Sequence, residues 1–344
     1  MKASLALAAA LFAGALHAQP FHRLEAAVAL PGDAPDWDYL SLDPARNHLF
    51  IAARGAGMLV YDVAGQRLVR TLEDTKGANA SLQVPEFDRF YSVNQDGTAT
   101  IFRLSTLEKL GKVEMGGDAD AAFYDPVTKE IAVMRGDSAE VTFLEAASGR
   151  IVARLKMPSK KLEASAADGK GNLFVACRDR NSVFKVDMHA HTLAAEYPAA
   201  CDEANGMAID RASGRLFVGC RGKNPVMSVM DAATGKVVAT HGIGRGNDGM
   251  IYDADTRRVY ASGGVDGNLV VYSQVDPDTY KLVEATTTRP YARTMALHPG
   301  TKKVYLVTAE GTVDPSRKVN TGPAPFYPNR FFPGTFTLLT YSPR

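Results

Sequence analysis

Residues 206–219 read Gly-Met-Ala-Ile-Asp-Arg-Ala-Ser-Gly-Arg-Leu-Phe-Val-Gly: an apolar run, a turn that begins at Asp210, and a second apolar run led by a basic residue. The same pattern occurs seven times after Trp37, and its first copy runs from Tyr39 to Ala52. The residues that precede the seven turns are Leu42, Val84, Tyr124, Ala167, Ile209, Tyr252 and Leu297. They are 42, 40, 43, 42, 43 and 45 residues apart. A repeat of about 40 residues made of short strands predicts an all-β fold, a β-propeller of seven four-stranded blades.

The seventh copy is incomplete, and this predicts how the ring closes. It has a first strand at residues 294–297, a second at 303–308 and a third at 335–341, and the sequence then ends at Arg344. Residues 23–30 resemble the outer strands of the other copies. We therefore predict that an N-terminal strand completes the last blade and leaves the ring without a free edge.

The N-terminal residues have the pattern of a secretory signal. Lys2 precedes an uncharged apolar run, and Leu16-His17-Ala18 has the small residues of a cleavage site. We expect residues 1–18 to be removed after Ala18 and residues 19–344 to form one propeller domain. The expected location is the periplasm or the exterior, with no membrane insertion after cleavage because no other apolar run is long enough.

Charge and composition exclude some kinds of partner. Apolar residues make up 46% of the chain and charged residues 22%, which is typical of a folded domain with a large core. Without Lys2, basic and acidic residues balance at 38 each. A neutral chain argues against broad attraction to nucleic acid, and we expect a monomer that binds a small molecule or a periplasmic protein.

The chain resembles the bacterial YVTN-repeat, or YncE-like, seven-bladed β-propellers of the periplasm. The resemblance covers essentially the whole mature chain, and its most specific pieces are residues 37–40, 201–210, 215–220, 293–297 and 334–339. It implies the fold and an exported location, but no agreed reaction.

A candidate site lies where the inner strands begin. The inter-blade connections of a propeller meet on one face, around the mouth of the central channel. The fourth residue before each marker should face this funnel, and these residues are Asp38, Ala80, Asp120, Glu163, Asn205, Asp248 and Arg293. Carboxylates crowded around a narrow funnel are costly unless a cation, a ligand or Arg293 compensates them. With the adjacent Trp37 and Tyr291, the predicted ligand-binding residues are Trp37, Asp38, Asp120, Glu163, Asn205, Asp248, Tyr291 and Arg293.

Two functions fit this site, and a purely structural polar ring is the alternative to both. The first is a non-enzymatic exported binding or scaffold protein with its ligand or partner at the funnel mouth. The second is a lactonase-like hydrolase that polarises a carbonyl with a divalent cation of the calcium class. Its metal ligands would be Asp120, Glu163, Asn205 and Asp248. No sequence motif assigns catalytic residues, so whether the protein is an enzyme stays open.

Three further features bear on the same face. Cys201 and Cys220 should both lie at this face of the fifth blade, which predicts a disulfide and leaves Cys177 as a free thiol. Residues 311–334 form a long proline-rich loop that is either a binding lid or a bland insertion. The basic loop residues are expected to be a solvated rim or a patch for an anionic polymer, and they are Arg54, Arg135, Arg178, Arg180, Arg221 and Lys223.

Overall fold

The structure, a computed structural model, describes residues 21–32, 35–319, 321, 324 and 327–344. The signal peptide predicted for residues 1–18 lies outside the described residues. Among the described residues, no helix has both the length and the apolar composition needed to cross a bilayer.

Strand β1 spans His22–Ala29, and the next strands form blades one to three in chain order from the channel outward. Blade one consists of β2 (Leu40–Asp43), β3 (His48–Ala53), β4 (Gly57–Asp62) and β5 (Arg67–Thr71). Blade two consists of β6 (Ala78–Val84), β7 (Arg89–Asn94), β8 (Thr98–Arg103) and β9 (Lys109–Glu114). Blade three consists of β10 (Ala119–Asp125), β11 (Glu130–Arg135), β12 (Glu140–Glu145) and β13 (Ile151–Lys156).

Blades four to six repeat this order. Blade four consists of β14 (Leu162–Ala167), β15 (Asn172–Cys177), β16 (Ser182–Asp187) and β17 (Thr192–Pro198). Blade five consists of β18 (Ala204–Asp210), β19 (Arg215–Cys220), β20 (Val226–Asp231) and β21 (Val237–Gly242). Blade six consists of β22 (Met250–Asp253), β23 (Arg258–Gly263), β24 (Asn268–Asp276) and β25 (Thr279–Thr287). Short 3₁₀ turns lie at Pro85–Phe87 and Arg178–Arg180.

Blade seven joins the two ends of the chain, as predicted. Its inner strands are β26 (Met295–Leu297) and β27 (Val304–Thr308), followed outward by β30 (Thr337–Pro343). Strand β1 pairs antiparallel with β30 from His22–Pro343 to Ala29–Thr337 and forms the outer strand. A two-stranded hairpin, β28 (Gly311–Thr312) and β29 (Arg330–Phe331), closes the base of the long loop. The seven-bladed β-propeller with an N-terminal closing strand is therefore confirmed.

The core consists of seven apolar clusters, one between each pair of neighbouring blades. Successive side chains of a strand point to opposite faces of its sheet. In β3, Leu49 and Ile51 therefore pack toward blade seven, while Phe50 packs toward blade two. The second strand of each blade is apolar at nearly every position because both of its faces are buried.

In most blades the turn that marks the repeat is closed by an aspartate, and in blade seven His298 Nδ1 accepts the corresponding backbone hydrogen bonds. Asp43, Asp125 and Asp210 are buried, and their carboxylates accept hydrogen bonds from backbone N–H groups two or three residues later. This Asx turn provides the reversal between first and second strands. Asp210 pairs with Arg215 across the turn, and Val84 is in the corresponding position because it pairs with Arg89.

The marker assigned to blade two is therefore one residue too late. Val84 replaces the turn aspartate and is not the residue before it. The funnel position of this blade is Asn79 rather than Ala80, and the predicted ring must be corrected to contain Asn79.

Candidate ligand site at the funnel mouth

The funnel residues leave the regular strand pairing at β-bulges. The pairing of the first and second strands skips Asn79 in blade two, Asp120 in blade three and Asn205 in blade five. The irregularity in blade four spans Glu163. A bulge leaves one residue unpaired and re-aims its side chain. In these four blades the irregularity takes a polar side chain out of the regular pairing, and the carboxylates of Asp120 and Glu163 line the funnel cavity.

With Asn79 in place, the ring has a polar side chain from every blade. Its members are Asp38, Asn79, Asp120, Glu163, Asn205, Asp248 and Arg293. Asn79 and Asn205 are fully buried and link neighbouring members. Asn79 Nδ2 donates to Asp120 Oδ1 over 3.1 Å, and Asn205 Nδ2 donates to Asp248 Oδ1 over 2.7 Å.

A second set of side chains, all basic, neutralises the ring carboxylates. Arg54, Arg178 and Arg221 each directly follow the second strand of their blades. Arg54 pairs with Asp38, Arg178 with Glu163 at 3.3 Å, and Arg221 with Asp248. These partly buried groups can stay charged because each one has a group of opposite charge beside it. The expectation that these three arginines form a solvated rim is wrong.

Blade three has a different neutralising residue. Gly136 is in the position of the three arginines, and Lys161 from the next blade reaches over it to Asp120 with an Nζ–Oδ2 distance of 2.8 Å. A Cβ atom at residue 136 would overlap the Asp120 carboxylate and come within 2.9 Å of Lys161 Nζ. Burial lowers the pKa of Lys161, but the carboxylates of Asp120 and Glu163 outweigh this and raise it.

The funnel encloses a cavity of about 700 Å³. Seven basic and five acidic side chains lie among its described lining residues. The basic ones are Arg54, Lys161, Arg178, Arg221, Arg293, Arg317 and Arg330, and the acidic ones are Asp36, Asp38, Asp120, Glu163 and Asp248. Tyr39 forms the floor. The cavity size is typical of small-molecule sites.

Arg293 is held from three sides. Its Nε lies 2.8 Å from Asp248 Oδ2 in an ion pair, and its Nη2 donates to the carbonyl oxygen of Trp37. Its guanidinium carbon lies 5.2 Å from the centroid of the Trp37 ring, within cation–π range. Burial lowers the pKa of Arg293, but Tyr327, Asp38 and Asp248 outweigh this and raise it. Arg293 is therefore a fixed positive charge at the cavity wall.

The long loop contributes one side of the cavity. Tyr327, Asn329 and Phe331 line it together with Arg317 and Arg330. Phe331 packs against Trp37 with ring centroids 4.9 Å apart, and Tyr291 contacts Tyr327 at 5.5 Å. These aromatic contacts dock the described part of the loop on the ring.

Two ring carboxylates have raised pKa values. Burial raises the pKa of Glu163 to about 7, against the opposing effect of Lys161. Burial likewise raises the pKa of Asp38 to about 6, although Arg54 and Arg293 oppose it. A carboxyl group with a pKa raised this far gains or loses its proton near neutral pH. The net charge of the cavity therefore becomes more positive as pH falls.

The predicted site residues fall into two groups. Asp38, Asp120, Glu163, Asp248 and Arg293 line the cavity. The other three lie behind this wall. Asn205 is buried against Asp248, Trp37 is fully buried under Arg293, and Tyr291 packs against the loop.

The sequence reasoning missed Lys161, assigned Ala80 to the ring in place of Asn79, and misjudged three arginines. The repeat itself could have identified these arginines as a set, because Arg54, Arg178 and Arg221 all directly follow the second strand of their blades.

The calcium-class site stays a prediction. Among the described residues, no group of three or more His, Cys, Asp or Glu side chains has an arrangement suited to a metal ion. Asp120, Glu163 and Asp248 instead have Lys161, Arg178, Arg221 and Arg293 as partners. A cation at this position would have to displace those basic side chains.

A disulfide joins Cys201 and Cys220 in blade five, across a sequence separation of 19 residues. Cys177 is a buried free thiol, and burial raises its pKa to about 11. The bridge ends one residue before Arg221 and thus fixes the backbone from which this cavity arginine extends.

No protein-family model matches the sequence, and no curated protein matches it. Solved structures do. A structure of RRP9 WD40 repeats superimposes with a TM-score of 0.74 at 9% identity, covering 94% of this chain and 99% of that chain. A chain of a mitotic checkpoint complex has a TM-score of 0.70 at 15% identity, covering 89% and 94%. A chain of Kuenenia stuttgartiensis hydrazine synthase has a TM-score of 0.69 at 14% identity, covering 81% and 94%. At these identities the likeness shows the fold alone, and it defines the class of protein as a β-propeller.

Proposed function

We propose that this chain is an exported binding protein of the YVTN-repeat, YncE-like type, and that it holds a small anionic molecule in the funnel cavity. The observation that carries the proposal is the set of seven basic against five acidic side chains around a cavity of about 700 Å³, with Arg54, Arg221 and Arg293 held in place by ion pairs. Guanidinium groups bind carboxylates and phosphates through paired hydrogen bonds, which makes arginine the usual residue for such ligands.

The raised pKa values support an anion rather than a cation. At neutral pH and below, Glu163 and Asp38 can be protonated, which leaves Arg178 with Glu203 and Arg54 with Asp36 as their charged partners. The side chain of Arg221 also retains a buried Nε with no hydrogen-bond partner among the described residues. An incoming carboxylate or phosphate would supply acceptors for these donors.

The test uses the single tryptophan of the chain. Trp37 lies directly under Arg293, so its fluorescence reports on events at the cavity wall. We expect titration with citrate or inorganic phosphate to change this fluorescence saturably. The Arg293→Gln variant should bind about ten- to a hundredfold more weakly, because it loses a charged hydrogen bond in a desolvated site.

Two variants control this experiment. Arg67→Gln removes a charge whose side chain is 75% exposed on the outer strand of blade one, and it should leave affinity unchanged. Arg221→Gln removes a second cavity arginine and guards against a folding defect specific to Arg293→Gln. If neither citrate nor phosphate nor other small anions bind at millimolar concentration, the proposal is wrong.

The alternative function, a calcium-dependent hydrolase, can be tested on the same purified protein. A large rise in melting temperature with calcium, reversed by EDTA, would favour a metal site at Asp120, Glu163, Asn205 and Asp248. Binding of the anions in the presence of EDTA, with no calcium effect, would favour the binding protein.

A further inference from the structure

The charged side chains of the funnel are distributed unevenly between its two halves. At blades one, three and four, each basic side chain has two carboxylates as partners. These groups are Arg54 with Asp36 and Asp38, Lys161 with Asp120 and Asp137, and Arg178 with Glu163 and Glu203. Among the described residues, this half of the funnel therefore has a surplus of acidic groups.

The proportion is reversed at blades five to seven. Arg221 and Arg293 are both paired with one carboxylate, that of Asp248. The two loop arginines that line the cavity likewise share Asp314, each at a distance of 3.7 Å. The blades follow one another around the ring in chain order. Blades five to seven therefore form one continuous side of the funnel, and this basic half faces the acidic half across the axis.

The basic half has N–H groups that lack an acceptor. Among the described residues, Arg221 Nε and Nη2 and Arg293 Nη1 donate no hydrogen bond, since the contacts of these guanidinium groups use their other nitrogens. Arg221 Nε is buried, and the side chain of Arg221 is only 10% exposed. Buried donors need an acceptor. A ligand carboxylate that lies between Arg221 and Arg293 would supply it.

The acidic half has the complementary property, carboxylate oxygens that lack a donor. Glu163 Oε2 and Asp38 Oδ1 accept no hydrogen bond from a described residue, and the second oxygen of each carboxylate pairs with an arginine. Both carboxylates act on the hydroxyl group of Tyr39 at the floor of the funnel, where burial and then Asp38 and Glu163 raise the pKa of this tyrosine. An ammonium group carries three N–H donors and no acceptor, so it matches these oxygens.

We propose that the acid bound in the funnel also carries an ammonium group and is an amino acid. Its carboxylate lies between Arg221 and Arg293, and its ammonium group lies above Tyr39, toward Glu163 and Asp38. Each charged group of the ligand is then beside the half of the funnel with the opposite surplus, which is the arrangement that gives specificity. This inference rests on the function proposed for the funnel and specifies the class of its ligand.

The test compares acids that differ only by an amine. The pairs are propanoate with free alanine, butanoate with γ-aminobutanoate, and hexanoate with ε-aminohexanoate, and each compound is titrated into the full mature protein by calorimetry. The pairs cover short and long separations between the two charges. At the separation that fits the funnel, the amine should strengthen binding about ten- to a hundredfold, because it gains hydrogen bonds to charged groups in a partly desolvated site.

Proton exchange gives a second readout of the amine. Burial raises the pKa of Glu163 to about 7. The titratable and charged groups that face Glu163 are Lys161, Asp248, Arg178, Asp120 and the hydroxyl of Tyr39. An ammonium group beside Glu163 lowers its pKa and releases protons, whereas an acid without the amine raises it and takes protons up. Calorimetry at about pH 7 in two buffers of different ionisation enthalpy measures the difference. Equal proton uptake by both members of every pair would contradict the proposal.

Two variants and a matched control locate the ammonium group. Glu163→Gln and Asp38→Asn keep the size of the side chain and remove its charge, so each should reduce the gain from the amine several-fold. Each should also strengthen binding of the acid without the amine, because a neighbouring negative charge is lost. Glu73→Gln makes the same change at an exposed glutamate of blade one and should preserve the gain. Melting temperatures check that all three variants fold.

The outcomes separate this inference from the proposed function. If the acids bind, are weakened by Arg293→Gln, and gain nothing from the amine in any pair, the ammonium site is wrong and the anion site stands. A gain that survives both variants, or that Glu73→Gln reduces equally, also overturns the ammonium site. If citrate or phosphate binds and none of these acids does, the amino acid is wrong. If butylamine binds as tightly as γ-aminobutanoate, or if no anion binds, both proposals fail.

Discussion

Glu163 shows what burial in a ring of charges does to one residue. Its side chain is 12% exposed, its carboxylate lies 3.3 Å from Arg178, and burial raises its pKa to about 7. The unfolded chain releases this proton near pH 4.5, the ordinary value for glutamate. Between these two values the folded state holds more protons than the unfolded state. The free energy of unfolding must therefore fall as pH rises through this window.

The Glu163→Gln variant tests this at the residue scale. It keeps the size of the side chain but cannot ionise, so it should lose the part of the pH dependence that Glu163 contributes. That part is at most about 3 kcal/mol between pH values of about 4.5 and 7. Urea unfolding at about pH 5 and about pH 8 measures it, and the wild-type protein should lose more stability than the variant on going to the higher pH.

The exposed Glu73 provides a matched control for this measurement. Glu73→Gln makes the same chemical change at the surface of blade one and should preserve the wild-type pH dependence. Equal pH dependence in wild type and Glu163→Gln would mean that Glu163 is ionised in the folded protein throughout this range.

At the scale of the strand, the first strand of blades two to five pairs regularly with the second strand except at one irregularity. The bulges at Asn79, Asp120 and Asn205 turn polar side chains to the axis while the next residues continue to pack between blades. The residues at the start of each inner strand therefore form the site, and the remaining residues of the strand form the channel wall and the core.

The disulfide in blade five gives a prediction at this scale. Replacing both Cys201 and Cys220 by serine should lower the free energy of unfolding by about 3 kcal/mol, because the bridge restricts a short loop in the unfolded chain. Urea unfolding of the oxidised wild type against the double variant measures the difference. A reducing agent should destabilise the wild type and leave the double variant unchanged. A wild-type protein that is insensitive to reduction would show that the bridge contributes nothing to stability.

The strands were more predictable from sequence than the site. Apolar runs separated by turns of fixed spacing give the number of blades and show that the last one lacks a strand. The exact side chain at the funnel depends on a bulge, and blade two has Val84 where other blades have the turn aspartate. Counting back a fixed number of residues therefore gave Ala80 in place of Asn79. Lys161 was missed because it enters from a neighbouring blade over Gly136, a contact that no pattern within one repeat can show.

For the whole molecule, we expect stability to depend on the closure of the ring by β1. This strand pairs with β30 along its length and is further attached to blade six, where the buried His22 ring nitrogen lies 2.9 Å from Glu284. On its other side, Lys303 pairs with Glu25 at 2.8 Å. Removing β1 would expose the backbone edge of β30 and the buried partners of these groups.

A chain that begins at Pro31 should therefore lose cooperative thermal unfolding, whereas one that begins at Phe21 should keep it. Scanning calorimetry of the two chains measures the difference, with the chain from Phe21 as the control for trimming the N-terminus. If the shorter chain unfolds in one sharp transition at an unchanged temperature, closure by β1 does not stabilise the ring.

The closing strand also determines where the described ends of the chain lie relative to the funnel. The backbones of Phe21 and Arg344 exchange two hydrogen bonds, of 3.1 and 2.9 Å, so these two residues lie side by side. Strand β1 runs from this point toward the funnel, since Pro35 and Asp36, which follow shortly after the strand, line the cavity. A tag, a fused domain or a surface attached at Arg344 would therefore lie on the side of the ring opposite the funnel mouth.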